Sequence, residues 1–361
     1  MSDDTGPSAA TVWRGGGILA LLAVTAAFPM VFTNPLVTTI GVETVIFGGA
    51  AIAWNIFSGY SGYISLGHAV FFGCGAYTVA VAARDWQLAG NAVFALLPLA
   101  GWVAAVIAVP FGLISLRVRR HTFLVVTFGI FFVSELMAYN LSFTGGTTGI
   151  AAPFLAWQPG TFNDPFYYLA LAIAAATAGL SWLIRGSRFG LQLRAIRDDE
   201  DRARGLGVRT MRVKLSAFVI SAFVTGVIGG LWFLFITQIL PSTGFDPGFN
   251  LTVALMAFTG GLGTVAGPAL GAVLVMPAQE LLTQQFPNDY LSQIVRGAVF
   301  LAVITLVPRG VIPVAGEKIT SWRAKRSSGR PVRKPVDFKR EAAAAQGSGG
   351  ATDGPAKERA R

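Results

Sequence analysis

Two ionisable residues, His68 and Glu135, lie in or beside long apolar stretches of the chain. An ionised side chain is costly in such a place, so it usually faces the interior of a helix bundle, where it pairs or lines a solute path. A structural hydrogen bond to another helix is an equally good interpretation of Glu135. With two distant histidines and one cysteine, the sequence predicts no metal site.

Residues 58–67 form a polar, glycine-rich linker between two short apolar runs, and His68 follows it directly. An unwound segment at membrane depth exposes backbone groups that need partners, and either a solute or neighbouring helices can supply them. Composition alone does not separate this interpretation from an ordinary loop between two helices.

The most polar internal segment is Arg185–Lys214, which contains nine basic residues. Residues 191–204 are compatible with a helix, and Gly205 and Gly207 suit its C-terminal end. Acidic residues in the middle are flanked by arginines, which favours pairs four residues apart. The segment is either a solvated helix between two membrane spans or a docking element for a cytoplasmic partner.

The chain has no G-x-x-x-x-G-K-[ST] sequence, so it cannot supply a P-loop ATPase of its own. Its composition is 53% hydrophobic and only 13% charged, whereas soluble domains average about 25% charged residues. This excludes a cytosolic enzyme, a secreted disulfide scaffold and a nucleic-acid-binding domain as the main identity. The chain is expected to be an integral membrane protein that crosses the bilayer several times.

Apolar runs predict the membrane-spanning helices that would position these residues. They lie near 17–33, 42–57, 68–83, 91–115, 122–142, 166–184, 215–240 and 292–314. A further run, 249–276, is interrupted around Gly260–Pro268 and is expected either to dip into the membrane and return or to cross it twice. The predicted fold is all-α: a polytopic membrane helical bundle of 8 to 10 transmembrane helices with broken or re-entrant segments.

Lysines and arginines concentrate in three places, residues 117–120, 185–214 and 315–361, which are expected to be cytoplasmic. Loops 143–165 and 241–248 have no lysine or arginine and are expected to face outward. The predicted organisation is a cytoplasmic N-terminus (1–16), a permease domain (17–314) with a cytoplasmic loop at 185–214, and a disordered basic cytoplasmic tail (315–361). The net charge of +10 therefore reflects membrane topology, and no nucleic-acid partner is expected.

Several segments together resemble the M-type permease subunit of ABC transporters for branched-chain amino acids. Asp201, Ala203 and Gly207 have the spacing of the coupling-loop motif of ABC importer permeases, with Asp where Glu is usual. The segments 187–200, 62–77 and 144–150 match that family in order and spacing. The resemblance covers about residues 40–315 and leaves out the basic tail.

The resemblance implies a type II ABC importer-like fold and a transport subunit that is not itself an enzyme. It implies a second related permease subunit, two ABC ATPase subunits that bind ATP and Mg, and a periplasmic or lipid-anchored solute-binding protein. No cofactor is expected in this chain. The expected location is the bacterial or archaeal cell (inner) membrane, with both termini cytoplasmic.

The resemblance also suggests which residues carry each task. The residues expected to couple the permease to the ATPases are Arg197, Glu200, Asp201, Ala203, Gly205 and Gly207. The residues expected along the translocation path are Gly62, Ser65, Gly67, His68, Gly75, Glu135, Thr144, Gly145, Gly146 and Gly149.

Two other functions fit parts of the sequence. A permease for urea or short amides belongs to the same class, and the sequence contains no reliable selector between the solutes. An ion-coupled secondary transporter would use Glu135 as a proton or cation site and would need no ATPase. The resemblance of 185–214 to a coupling loop disfavours the second alternative.

Overall fold

The computed structural model describes residues 25–155, 157, 162–285, 294 and 297–298. Their α-helices are, in chain order, Phe28–Val31 (α1), Pro35–Trp54 (α2), His68–Asp85 (α3), Leu97–Ser115 (α4), Arg120–Asn140 (α5), Asn163–Gly186 (α6), Arg188–Asp198 (α7), Glu200–Gly205 (α8), Thr210–Ile236 (α9), Pro241–Gly244 (α10), Pro247–Gly260 (α11) and Gly267–Gln285 (α12). Two short strands, Ile150–Ala151 (β1) and Gln238–Ile239 (β2), pair antiparallel.

Among the described residues, five helical segments are long and apolar enough to cross a membrane. They are Pro35–Gly59, Gly90–Ser115, Arg120–Asn140, Asn163–Gly186 and Thr210–Ile236. Each coincides with a predicted span, and α3 occupies the predicted span 68–83. The all-α membrane bundle is therefore confirmed. Most of the predicted span 17–33, nearly all of 292–314, and the predicted termini 1–16 and 315–361 lie outside the described residues.

The second predicted span is longer than its apolar run of 42–57. Pro35 occupies the first turn of α2, and Asn34 caps it by accepting a hydrogen bond of 3.0 Å from the Leu36 amide. At its other end α2 continues as one π-helical turn, Asn55–Gly59. The helix thus extends beyond the predicted span mainly at its N-terminal end, and the polar Asn55 and Ser58 of the π-helical turn are buried inside the protein.

The centre of the bundle is helix α9, which packs against α2, α3 and α4. Gly75 of α3 lies directly against the Gly226 carbonyl of α9, and there is no room for a side chain between them. Gly229 approaches the Phe72 carbonyl in the same way. Small residues therefore let α3 and α9 cross at close range, as expected for membrane helices.

Helices α11 and α12 form an antiparallel hairpin. Gly260 contacts the Gly267 carbonyl, and farther along Gly271 contacts the Met256 carbonyl. The predicted break is confirmed, because residues 261–266 between the two helices are not helical. Helix α11 has 14 residues and is about 21 Å long, less than the roughly 30 Å of a bilayer core.

The segment predicted as one helix over 191–204 is two helices that meet at Asp199. Asp199 is extended, with φ −155° and ψ 110°, and its carboxylate accepts hydrogen bonds of 3.0 Å from the amides of Asp201 and Arg202. A residue that caps a new helix ends the preceding one, which explains why the single-helix prediction was wrong. The expected end at Gly205 and Gly207 is confirmed, and Gly207 takes φ +86°.

Candidate functional site

The stretch Asp201–Gly207, which contains most of α8 and the two residues after it, is the most exposed part of the segment 185–214 and forms the exposed turn of this segment. Asp201, Gly205 and Gly207 are exposed there, and Leu206 is 85% exposed. Nothing lies within 4 Å of the positions that a side chain would take at Gly205 or Gly207. The sequence analysis missed Leu206, although an isolated leucine between two glycines in a charged segment is a recognisable signal.

Other residues of the same segment point inward. Ala203 is buried, and the Glu200 side chain is only 18% exposed. The Lys214 side chain is 4% exposed, and its Nζ lies 2.7 Å from Glu200 Oε1. The Tyr63 hydroxyl donates to Glu200 Oε2. The ammonium also lies 4.4 Å from the centroid of the Tyr63 ring. This buried cluster of Tyr63, Glu200 and Lys214 joins α8 to the linker at 60–67.

The charge on Glu200 follows from these contacts. Burial raises the pKa of the Glu200 carboxyl, but the hydrogen bonds from Lys214 and Tyr63 and the positive charge of Lys214 lower it. The second effect is stronger, so the pKa lies below its ordinary value. Glu200 is therefore ionised at neutral pH and forms a partly buried ion pair with Lys214.

Arg197 also faces the core of the protein. Its Nη1 donates a hydrogen bond of 2.7 Å to the Gly59 carbonyl, at the end of the π-helical turn. Its aliphatic part packs against Gly62. Arg120 at the start of α5 donates to the carbonyls of Ile196 and Arg197, which are the last carbonyls of α7. The C-terminal end of α7 is thus held from two sides.

Exposed ion pairs surround the turn. Arg119 lies 3.6 Å from Asp201, and Arg202 lies 3.0 Å from Asp199, with most of these side chains in solvent. Solvent-exposed pairs of this kind contribute little to stability, because water and salt screen them. The backbone amide of Arg202 keeps the pKa of Asp199 below its ordinary value, which preserves the ionised cap of α8.

The linker 60–67 ends in a buried hydrogen-bonded chain around His68. Its Nδ1 lies 2.9 Å from Ser65 Oγ, and its Nε2 lies 2.8 Å from Ser221 Oγ. Ser221 donates its only hydroxyl proton to the Ala53 carbonyl at 2.6 Å. Nε2 must therefore carry the proton that it donates to Ser221. His68 thus links α3, α9 and α2.

Gly62 and Gly67 belong to the same linker. Gly62 takes φ +73° next to Arg197, and Gly67 lies against Thr127 of α5. The predicted path residues from 62 to 68 are therefore brought together, but described protein groups satisfy most of their polar atoms.

The other predicted path residues lie elsewhere in the bundle. The Thr144 hydroxyl donates to the carbonyls of Ala138 and Leu141 and closes the C-terminal end of α5. Gly145, Gly146 and Gly149 all take positive φ, and Gly149 lies against the Ile239 carbonyl where β1 pairs with β2. Thr144 and these glycines form a turn that shapes the backbone at one end of the bundle.

An open cavity of about 680 Å³ lies between α3, α4 and α5. Its wall is mostly apolar and includes Cys74, Val81, Ile107 and Phe245. Tyr77 also lines it, but the hydroxyl of this residue is buried and has no hydrogen-bond partner among the described residues. Thr144 also lines this cavity, whereas Gly75 lies in the contact between α3 and α9.

Glu135 is half-buried on α5, next to Ser134, which lines this cavity. It shares a side of α5 with the buried residues Phe131 and Ala138, so it faces the bundle and not the lipid side. Glu135 lies far along the helix from the 62–68 group, since α5 contacts that group near Thr127. The predicted path residues thus fall into separate groups and do not form one continuous site.

A family model for permease components of branched-chain amino acid transport systems matches residues 36–304. The chain belongs to this permease family. The expected family is thereby confirmed, and its members are transport subunits and not enzymes.

Curated relatives of the permease come from both subunit types. It is 30% identical to the "High-affinity branched-chain amino acid transport system permease protein LivM" of Salmonella typhimurium, over 85% of this chain and 77% of the relative. The Escherichia coli protein of the same name is 29% identical, over 82% and 74%. The "High-affinity branched-chain amino acid transport system permease protein LivH" of Salmonella typhimurium is 27% identical, over 73% and 89%. No solved structure matches the permease.

In this permease the expected coupling residues divide into two sets. Asp201, Gly205 and Gly207 lie on the exposed turn, together with Leu206. Arg197, Glu200 and Ala203 face the bundle and attach that turn to it. A partner that approaches the turn would meet the first set, and the second set would lie behind it.

Proposed function

We propose that this permease is the M-type subunit of an ABC importer for branched-chain or related amino acids. Its partners are a second related permease, two ABC ATPases that bind ATP and Mg, and a periplasmic or lipid-anchored solute-binding protein. The family match and the relatives named LivM and LivH support a pair of permeases in one transporter. The complex lies in a bacterial or archaeal cell membrane, with both termini of this chain cytoplasmic.

The observation that carries the ATPase part of the proposal is the exposed turn Asp201–Gly207. Leu206 stands out from this turn into solvent, at a site where the surrounding side chains are charged. An exposed leucine on a rigid turn gains about 1.5 to 3 kcal/mol when a partner buries it completely. The turn is therefore the surface that the ATPase contacts, and Leu206 is the side chain that the ATPase buries.

The apolar cavity between α3, α4 and α5 supports an aliphatic solute. Its wall offers large apolar side chains. A branched aliphatic side chain gains free energy from such a wall, about 25 cal/mol per Å² of apolar surface that leaves water. Urea and short amides have little apolar surface and would gain much less.

The test is reconstitution of the complex that co-purifies with this permease, together with its binding protein, in proteoliposomes. We expect ATP-driven uptake of labelled leucine, isoleucine or valine, and unlabelled urea should not compete with it. Uptake of urea or acetamide instead of leucine would reassign the solute. Uptake that follows an ion gradient without ATP would refute the ABC importer assignment and direct attention to Glu135.

A further inference from the structure

Arg197 contacts two regions that are remote from it and from each other in sequence, residues 59–62 and Gly263. Its guanidinium donates to the Gly59 carbonyl at 2.7 Å, at the end of the helix that begins at Pro35. Its Cγ lies on Gly62 in the linker 60–67, and its Nη1 reaches Gly263 at the tip of the α11–α12 hairpin. One side chain of the coupling segment thus touches the end of a membrane helix, the linker and the hairpin tip.

A second connection runs through Glu200. The carboxylate accepts from Lys214 at 2.7 Å and from the Tyr63 hydroxyl, and Lys214 also lies 3.1 Å from that hydroxyl. Tyr63 belongs to the same linker that Arg197 reaches. The ion pair between Glu200 and Lys214 lies within the segment 185–214, and the Tyr63 hydroxyl, which contacts both of its members, joins this pair to the linker.

The parts that receive these contacts are themselves tied together. Asn55 donates to the Thr264 carbonyl at 2.8 Å and accepts from the Gly263 amide at 2.8 Å, which joins the π-helical turn to the hairpin tip. Gly62 and Gly263, both beside Arg197, take φ of +73° and +79°. Residues 62–67 of the linker and 261–266 of the tip are non-helical backbone next to helices, a usual place for a hinge.

We propose that Arg197 and Glu200 act as transmission residues: they carry the movement of the coupling segment into the linker 60–67 and the hairpin tip 261–266, and they do not contact the ATPases. The proposal rests on the proposed function, because it needs ATPases that move the turn. The linker continues into α3 at His68, and the tip connects α11 with α12. A displacement of α7 and α8 would therefore move α3 through the linker, and α11 and α12 through the hairpin tip.

The proposal has a distinct experimental signature: the ATPases remain bound and hydrolyse ATP, but less solute crosses for each ATP. The variant is Arg197→Gln, which keeps most of the side chain and removes the charge-assisted hydrogen bond to Gly59. The matched control is Arg194→Gln on the same helix, whose exposed guanidinium makes, within the described part of the chain, only a hydrogen bond of 3.4 Å to the Arg185 carbonyl. The complex is purified through a tag on the permease and reconstituted in proteoliposomes, and leucine uptake and phosphate release are measured together.

We expect Arg197→Gln to lower the leucine transported per ATP about ten-fold, the effect of losing one hydrogen bond to a charged group. Arg197→Lys should restore part of it, since an ammonium can still donate to the Gly59 carbonyl. The Arg194→Gln complex should transport as the wild type does. Tyr63→Phe provides an independent variant, because it keeps the ring next to Lys214 and removes only the hydroxyl that binds Glu200.

Two results would overturn the proposal. If Arg197→Gln and Tyr63→Phe both transport as much leucine per ATP as the wild type, the contacts transmit nothing. If Arg197→Gln loses the ATPases during purification, Arg197 belongs to the docking surface itself. Failure of the proposed function is recognised separately, because the wild-type complex would then show no ATP-driven uptake at all.

Discussion

Gly207 is the residue at which a substitution best separates folding from docking. Its φ of +86° suits glycine, so any other residue strains the backbone by about 1 to 2 kcal/mol. A Cβ atom at Gly207 would have nothing within 4 Å, and the residue is exposed, so the side chain of a tryptophan there is expected to extend into solvent in the permease itself. The permease should therefore fold with Gly207→Trp, at the same backbone cost as Gly207→Ala.

The docked state responds differently to the two variants. If an ATPase packs against the turn, the indole of Gly207→Trp occupies the space of the partner surface, and the methyl group of Gly207→Ala barely reaches it. Displacement of a central interface contact costs about 2 kcal/mol or more, so we expect ATPase affinity to fall by at least about thirty-fold with tryptophan. Alanine should change ATPase affinity little, because its backbone strain is present in the free and in the docked permease alike.

The assay compares wild type, Gly207→Ala and Gly207→Trp in the same membranes. Permease yield and thermal stability in detergent report folding, and the ATPase recovered per permease reports docking. The reasoning predicts equal permease stability for the two variants and loss of ATPase with tryptophan alone. Equal ATPase recovery and equal ATP-driven uptake for alanine and tryptophan would refute the placement of the turn at the ATPase interface.

Three further predictions follow from named contacts. Leu206→Ala should weaken ATPase docking by about 1.5 to 3 kcal/mol in a binding titration, whereas Leu183→Ala, which truncates an exposed leucine of α6, should not change it. Gly75→Val should lower the melting temperature of the purified permease, because the added atoms meet the Gly226 carbonyl and overpacking costs about 1 to 3 kcal/mol. The control Gly179→Val, at an open position, should have little steric effect. Equal melting temperatures for the two variants would contradict the close crossing of α3 and α9. The folded pKa of Asp199 is below its ordinary value, so the cap of α8 should be fully present above about pH 4 and weaken only as the pH falls through the folded value. Amide exchange at Asp201 and Arg202, corrected for its intrinsic rate, measures this, and Asp199→Asn should keep the protection that Asp199→Ala loses; loss of protection near pH 6 would contradict it.

The sequence predicted the long apolar helices well, because hydropathy reports burial in lipid directly. The end of the coupling segment was also predictable, since Gly205 and Gly207 have a simple conformational reason to stand there. The break between α7 and α8 was not, because Asp199 fits equally well inside a polar helix and at the start of a new one. Only the extended backbone at Asp199 distinguishes the two.

Side-chain direction was the main feature that the sequence could not supply. Arg197 and Glu200 stand among exposed charged residues, so their types suggest solvent or a partner, but their actual contacts are Gly59, Tyr63 and Lys214. The contacts of Arg197 with Gly59 and of Glu200 with Tyr63 join residues more than 130 positions apart. The contact of Glu200 with Lys214 depends on the break between α7 and α8, which sets the direction of α8. In the same way, Gly75 was expected on the path because of its sequence neighbours, and its close approach to Gly226 depends on how two helices cross.

The most direct test of the central claim is leucine uptake into proteoliposomes that contain the complex purified through this permease, with the binding protein outside and ATP inside. The account predicts accumulation that requires ATP hydrolysis, persists when all ion gradients are collapsed and stops when the ATPases are removed. Accumulation by the permease alone, driven by an ion gradient and insensitive to ATP, would contradict it.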